Sequence, residues 1–107
     1  MNEPTMTVRG RLGKDPDIRY TEKGELVTSF SIALYTGGSK AKGYNESLWV
    51  RISTFGELAE SCQTLTKGQL VYVEGTPRPK KFYKNDKGVE VQADLEINAS
   101  KVEITTG

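Results

Sequence analysis

The sequence has no histidine and a single cysteine, and these scarcities exclude most of the chemistry that small enzymes use. Cys62 has no imidazole in the chain to serve as its base, so it is interpreted as a small buried hydrophobe. One cysteine cannot form an intramolecular disulfide. The sequence also has no cluster of metal ligands, and it has no glycine-rich phosphate loop beside a predicted helix. We therefore expect no enzymatic activity, no metal and no cofactor.

Long apolar runs are also missing. The longest are only four residues, such as the stretch 70–73, and residues 1–10 lack the apolar core of a signal peptide. These absences predict no contact with a membrane and a cytoplasmic location. The 107 residues suffice for one domain, residues 1–107, with an adequate core of its own.

The formal net charge is only +1, but the cations are unevenly distributed. Five lysines and arginines lie between Arg78 and Lys87 against one acid, Asp86. Local basic segments on a neutral average are typical of a groove that binds a polyanion. Solvated loops are the alternative, and we favour it for the second basic segment, residues 40–42.

Alternating apolar and polar residues predict five strands, near 5–13, 26–35, 48–55, 69–76 and 91–104. Residues 14–25 form a connection, and residues 85–88 form a hairpin turn. Helical spacing predicts one helix of about three turns from Glu57 to near Lys67. This order is typical of the OB-fold, so we predict an all-β fold: a five-stranded Greek-key barrel with one short helix between strands 3 and 4.

The third strand places two kinds of residue on its two faces. Leu48, Val50 and Ile52 suit a core, whereas Trp49, Arg51 and Phe55 form an aromatic and cationic outer face. Trp49 could belong to the core if this parity is reversed, but then all three aliphatic residues would be exposed. Phe55 could instead pack under the start of the helix.

Three motifs in collinear order resemble the bacterial single-stranded DNA-binding proteins. Residues 10–21 resemble the first loop of that family, residues 49–60 its third strand and helix, and residues 67–75 its fourth strand. The resemblance implies an OB-fold without catalysis that binds single-stranded DNA in replication, recombination and repair, close to the nucleoid. It also implies a homo-oligomer, with a tetramer favoured and a dimer possible.

The resemblance further implies that aromatic side chains at Trp49, Phe55 and Phe82 stack on bases. Phe82 stands where many members have tryptophan, and a second frequent tryptophan is replaced in the region of Gly37 and Gly38. Members usually continue into an acidic tail that recruits other proteins. This sequence stops at Gly107, so either it is a DNA-binding core without its tail, or the protein does not recruit partners in that way.

Binding without sequence preference requires flat surfaces for bases and cations for phosphates. Tyr83 is a further candidate for stacking, and Arg51 could stack or reach a phosphate. The residues that we expect to contact the DNA backbone are Arg9, Arg11, Lys14, Arg78, Lys80, Lys81 and Lys84. Phe82 and Tyr83 could instead cap the barrel, Arg9 and Arg11 could protect a sheet edge or line a subunit interface, and Tyr20 is interpreted as packing.

Two other functions fit an OB-fold. A protein-interaction module similar to primosome accessory proteins would bind nucleic acid weakly, but it would need a larger apolar patch and fewer cations than the third strand offers. An RNA-binding domain of the cold-shock type is shorter, lacks the helix and has a different aromatic pattern. The sequence therefore favours binding and protection of single-stranded DNA.

Overall fold

A computed structural model describes residues 4–35, 47–78, 82–84, 87–92 and 95–105. These residues form eight strands and one helix. The bounds are β1 Met6–Leu12, β2 Asp17–Tyr20, β3 Leu26–Tyr35, β4 Ser47–Phe55, α1 Gly56–Cys62, β5 Leu70–Arg78, β6 Phe82–Lys84, β7 Glu90–Gln92 and β8 Leu95–Ile104.

Five of the strands close into a barrel. The sheet order is β1-β5-β8-β4-β3-β2, and an additional pairing of β1 with β3 joins the two ends. Only β4 and β8 are parallel among these pairs. Strand β2 extends the sheet beyond β3, and β6 with β7 makes a separate hairpin. The predicted five-stranded OB-fold is confirmed, and so is a hairpin around residues 85–88, of which 85 and 86 lie outside the described residues.

The barrel core comes from the inward faces of these strands. Ile32, Val50, Ile52 and Ile97 are completely buried. Two buried threonines connect the core to the helix. The Oγ1 of Thr28 donates to the carbonyl of Ala59 in α1 (2.8 Å), and the Oγ1 of Thr54 donates to the carbonyl of Thr28 (2.7 Å). Both hydroxyls are therefore satisfied away from water, as burial requires.

Helix α1 ends earlier than the sequence predicts. It stops at Cys62 after seven residues because the next backbone groups bind elsewhere. The amide of Leu65 donates to Cys62 in a tight turn, and the amide of Thr66 donates to the side chain of Gln69. Leu65 is still buried, so the apolar spacing that suggested a third turn continues through a loop. No helix among the described residues is long and apolar enough to cross a membrane.

Two strands differ from their predicted bounds. The connection predicted around Arg19 and Tyr20 contains β2, which pairs antiparallel with β3. Strand β5 runs through Pro77, where the sequence predicts an exit from pairing, and Pro77 lies opposite Ile97 of β8. Among the described residues, β1 pairs no further along β5 than Gly75, so Pro77 lies where β5 has β8 as its one partner, a position that tolerates proline.

The predicted last strand is divided in two. Strands β7 and β8 replace one strand over 91–104, and residues 93–94 lie outside the described residues. The register between β5 and β8 shifts by one residue between Glu74 and Gly75, leaving Ser100 as the extra residue of a bulge. Because of this bulge, Ile97 and Val102 both face the core although their parity differs.

Candidate nucleic-acid interface

The outer face of β4 presents two exposed aromatic residues. Trp49 is 43% exposed and Phe55 is 41% exposed, whereas Val50 and Ile52 between them are completely buried. The predicted parity of this strand is therefore confirmed, and the alternative that places Trp49 in the core is wrong. Phe55 directly precedes α1 in extended backbone, and it is exposed, so it is not buried beneath the helix.

Small residues of β3 flank these side chains. Trp49 lies opposite Ala33, Arg51 opposite Ser31, and Phe55 opposite Val27. Paired residues of antiparallel strands project from the same face of a sheet, at separations of about 5 Å between Cβ atoms. The aromatic and cationic side chains of β4 therefore stand above a low surface of short side chains.

Gly13 determines where the indole of Trp49 can lie. A Cβ atom on Gly13 would fall 2.7 Å from both Cη2 and Cζ3 of Trp49, and 3.9 Å from Cζ2. Two adjacent ring atoms at equal distance, with the next much farther, mean that the outer edge of the ring meets Gly13. Gly13 thus abuts the indole without covering either of its faces. This contact joins the end of β1 to β4, 36 residues later in the sequence.

Replacing Gly13 with alanine is expected to displace the indole, because carbon atoms at 2.7 Å overlap. We expect Gly13→Ala to weaken binding of single-stranded DNA about threefold to tenfold, a part of the ~1–3 kcal/mol of one base–aromatic stack. The measurement is a DNA titration together with the emission maximum of Trp49. An unchanged emission spectrum and affinity would show that the ring tolerates a methyl group there.

Arg51 lies in a row of charged residues that crosses the barrel. Its neighbour in the register of β8 is Glu96, and Glu96 lies opposite Arg78 of β5. Arg51 is partly buried and Arg78 is exposed. One carboxylate between two guanidinium groups leaves this row with a net positive charge. The row begins directly beside Trp49, so cations and an aromatic surface occur together on this face.

The basic residues on β1 and directly after it lie in different environments. A terminal nitrogen of Arg11, Nη1, donates to the carbonyl of Gly68 (3.0 Å), so Arg11 helps to tie β1 to the segment before β5. Arg9 lines a groove of about 280 Å³ with Tyr72, Lys101 and Glu103, and neither Trp49 nor Phe55 lines it. Lys14 is exposed in the bend after β1.

The groove around Arg9 is lined by side chains that already interact with one another. The phenol of Tyr72 donates to the carboxylate of Glu74 (2.7 Å), which raises the pKa of Tyr72. Lys101 forms an ion pair with Glu103 (3.1 Å), which raises the pKa of Lys101. The β1–β5–β8 face therefore carries a set of polar side chains that pair with one another.

The structure describes only part of the basic segment from Arg78 to Lys87, which we call the arm. Arg78 ends β5, and the backbone of Phe82, Tyr83 and Lys84 forms β6, paired with β7. Lys84 is exposed. Lys80 and Lys81 lie outside the described residues, and so do the side chains of Phe82 and Tyr83.

Two further predictions concern single residues. Cys62 is buried as predicted, and burial raises the pKa of its thiol, which suits a core residue and not a nucleophile. Tyr20, interpreted as packing, is 69% exposed on β2, so that interpretation is wrong. The alternation of Ile18 and Tyr20 around Arg19 could have indicated the short strand, but the preceding Pro16 obscured it.

Comparison with known proteins decides the family. The profile of the single-strand binding protein family matches residues 3–105. The chain belongs to that family. Of this family, a "Single-stranded DNA-binding protein" of Neisseria meningitidis serogroup A is 38% identical over 97 residues, which cover 87% of this chain and 55% of the relative.

Two other relatives match this chain with similar identity. The protein of the same name from Xanthomonas campestris pv. campestris is 37% identical over 101 residues, covering 92% of this chain and 58% of the relative. The protein of the same name from Xylella fastidiosa is 41% identical over 81 residues, which cover 72% of this chain and 49% of the relative. This member of the single-strand binding protein family thus spans about half the length of the curated relatives that it matches.

Proposed function

We propose that this chain is a single OB-fold domain that binds and protects single-stranded DNA, largely without sequence preference. The observation that carries the proposal is the exposure of Trp49 on a strand whose opposite face is completely buried at Val50, Ile52 and Thr54. A rigid aromatic surface of this kind stacks on any base, because every base has a π-face. Family membership and the names of the relatives support the same ligand.

The spacing along β4 sets how the strand of DNA is held. Trp49 and Phe55 are six residues apart, or about 20 Å at the rise of a β-strand. One base cannot contact both rings, so each aromatic residue receives a different nucleotide and the DNA follows β4. Arg51 lies between the two rings, where its guanidinium reaches a phosphate or stacks on an intervening base.

Cations beside this path bind phosphates. Arg78 and Lys84 are exposed, and Lys80 and Lys81 lie between them in the sequence. Phe82 and Tyr83 add stacking surfaces from the same arm. Lys14 is exposed and directly follows Gly13, whose contact with the edge of Trp49 brings this part of the chain to the same path. Arg9 and Arg11 are further along β1 and contribute less, since Arg11 already binds Gly68 and Arg9 faces the groove at Tyr72.

The function proposed is non-catalytic and serves replication, recombination and repair. We propose a homo-oligomer, with a tetramer favoured and a dimer possible, which uses the β1–β5–β8 face. The mixed apolar and paired polar groups at Tyr72, Glu74 and the 56%-exposed Ile104 support a subunit contact there. A module that only binds proteins is disfavoured by the arginines beside Trp49.

Titration with oligo-dT tests the proposal, because Trp49 is the only tryptophan and reports on its own site. Stacking of a base on the indole is expected to quench its fluorescence strongly and saturably. An unchanged signal combined with no shift of labelled oligo-dT in a gel would contradict binding at this face. Double-stranded DNA of the same length, whose bases are already stacked, is the control.

Substitution of Trp49 is expected to separate binding from stability. Trp49→Ala should weaken binding of a short oligo-dT by about 5-fold to 150-fold, the equivalent of ~1–3 kcal/mol for one base stack. Its melting temperature should change little, because 43% of the surface of Trp49 is exposed and the core lies on the opposite face. Fluorescence anisotropy of a labelled oligonucleotide measures the affinity without tryptophan.

Tyr20→Ala is the matched control for that measurement, because Tyr20 is an aromatic residue of greater exposure on a different strand. It should leave the affinity for the short oligonucleotide unchanged. Equal losses in the two variants would mean that aromatic surface in general, and not the face of β4, sets the affinity. A large fall in melting temperature for Trp49→Ala would place the indole among the structural residues.

A further inference from the structure

Strand β2 is an edge strand that carries exposed apolar side chains. Among the described residues it pairs only with β3, through the register from Asp17 opposite Ser29 to Tyr20 opposite Leu26. Every residue of β2 is exposed, and Ile18 keeps 45% and Tyr20 69% of its surface exposed to solvent. Unpaired edges of this kind are templates for another strand.

The backbone of β2 presents its hydrogen-bonding groups in a defined pattern. The amide of Thr21 donates to Glu25 at the end of the hairpin (2.8 Å), so Thr21 faces β3. Amide and carbonyl groups of successive residues in an antiparallel strand face alternate sides. Those of Asp17 and Arg19 therefore also face β3, and those of Ile18 and Tyr20 face the open edge.

We propose that β2 pairs antiparallel with β2 of a second copy of this chain, on a two-fold axis at Ile18, and that this contact links neighbouring proteins on DNA. Ile18 of each copy then forms a hydrogen-bonded pair with Ile18 of the other. The amide of Tyr20 reaches the carbonyl of Pro16 in the second copy. The ladder ends there, because proline has no N–H to return.

Charge complementarity selects this register. Asp17 and Arg19 form an ion pair within one chain (2.8 Å) through Nε of the arginine, which leaves the terminal guanidinium nitrogens for a second carboxylate. With the axis at Ile18, Asp17 of each copy lies opposite Arg19 of the other, in non-hydrogen-bonded positions where side chains are closest. The next compatible register, with the axis at Arg19, sets two arginines opposite each other and is disfavoured.

The contact between two β2 strands is small, so it forms only between proteins that DNA already holds close together. Four residues on each side bury far less than the roughly 1,600 Å² of a standard stable interface, so free proteins do not associate through β2. Two proteins bound side by side on one strand of DNA have an effective concentration of about millimolar, at which a weak contact is occupied. The inference rests on the proposed function, since DNA supplies this proximity.

A charge-mixing experiment tests the contact. Asp17→Arg alone and Arg19→Asp alone each place like charges opposite one another, and each should lower the cooperativity of binding to long oligo-dT about tenfold. An equimolar mixture of the two variants pairs arginines of one with aspartates of the other and should recover most of the cooperativity. The ion pair within the chain is broken in both variants, so its loss cannot explain a recovery.

Binding to an oligo-dT long enough for only one protein assembly separates this contact from DNA binding itself. If the variants bind this short DNA normally, changes on long DNA are due to neighbour contacts. Glu22→Arg makes the same charge change in the adjacent exposed turn and should leave cooperativity unchanged. If wild-type protein does not bind the short DNA, the proposed function fails, and this inference fails with it.

Three results would overturn the inference while the proposed function stands. Undiminished cooperativity in both variants would exclude a contact at β2. A mixture that stays non-cooperative would exclude pairing between Asp17 and Arg19 of different copies. Loss in Arg19→Asp with wild-type cooperativity in Asp17→Arg would exclude the axis at Ile18, because that register needs both residues.

Discussion

A tenfold rise in salt concentration is expected to weaken binding of single-stranded DNA about three-thousandfold. Each phosphate contact by a lysine or arginine releases counterions and contributes about −0.7 to the slope of log affinity against log salt. Roughly five contacts, from the row at Arg51 and Arg78 and the cations of the arm, give a slope near −3.5. Titrations at four or five salt concentrations with one short oligo-dT measure this slope.

Single charge removals identify which cations contribute. Arg78→Gln is expected to make the slope shallower by about 0.7, whatever the DNA sequence. Lys101→Gln is the matched control, since the ammonium of Lys101 is already paired with Glu103 on the β1–β5–β8 face, and it should leave the slope unchanged. A wild-type slope shallower than about −1 would mean that stacking alone supports binding and would contradict the phosphate contacts.

Replacing Gly75 with alanine is expected to destabilise the barrel by about 3 kcal/mol. A Cβ atom there would lie 2.7 Å from the Cα of Ala99 and still closer to the carbonyl oxygen of Asn98. Both atoms belong to the backbone of β8 at the bulge, so relief requires the two strands to separate. Strands β5 and β8 are adjacent in the middle of the barrel sheet, so this separation weakens the whole sheet.

Gly13→Ala is the matched control for this measurement. Its Cβ also meets atoms at 2.7 Å, but they are at the end of the Trp49 side chain, which can move. Urea unfolding should therefore show a large fall in midpoint for Gly75→Ala and a small one for Gly13→Ala, with similar m-values. Equal stabilities would mean that the bulge adjusts to a methyl group without opening the β5–β8 ladder.

Local sequence patterns predict much of this fold and the central part of the candidate site. Side chains of a strand alternate with a period of two, so the sequence alone separates Trp49 and Phe55 from Val50 and Ile52. The helix after Phe55 is equally local, because its spacing is visible within a few residues. The predicted strand order then suffices for an OB-fold.

Other features depend on contacts between distant parts of the chain. The edge strand β2 exists because β3 offers it a partner, and the bulge at Ser100 exists because β5 and β8 must stay in register. Helix α1 ends at Cys62 because the following amides find acceptors in turns.

The sequence by itself determined which face of β4 is buried and that the chain forms a barrel with one helix. Only the tertiary structure decided that Gly13 meets the edge of Trp49 and that Arg9 faces Tyr72, away from Trp49. The physical reason is that alternation assigns a side chain to the inside or the outside of a sheet. Closure of the sheet decides which part of the outside it occupies.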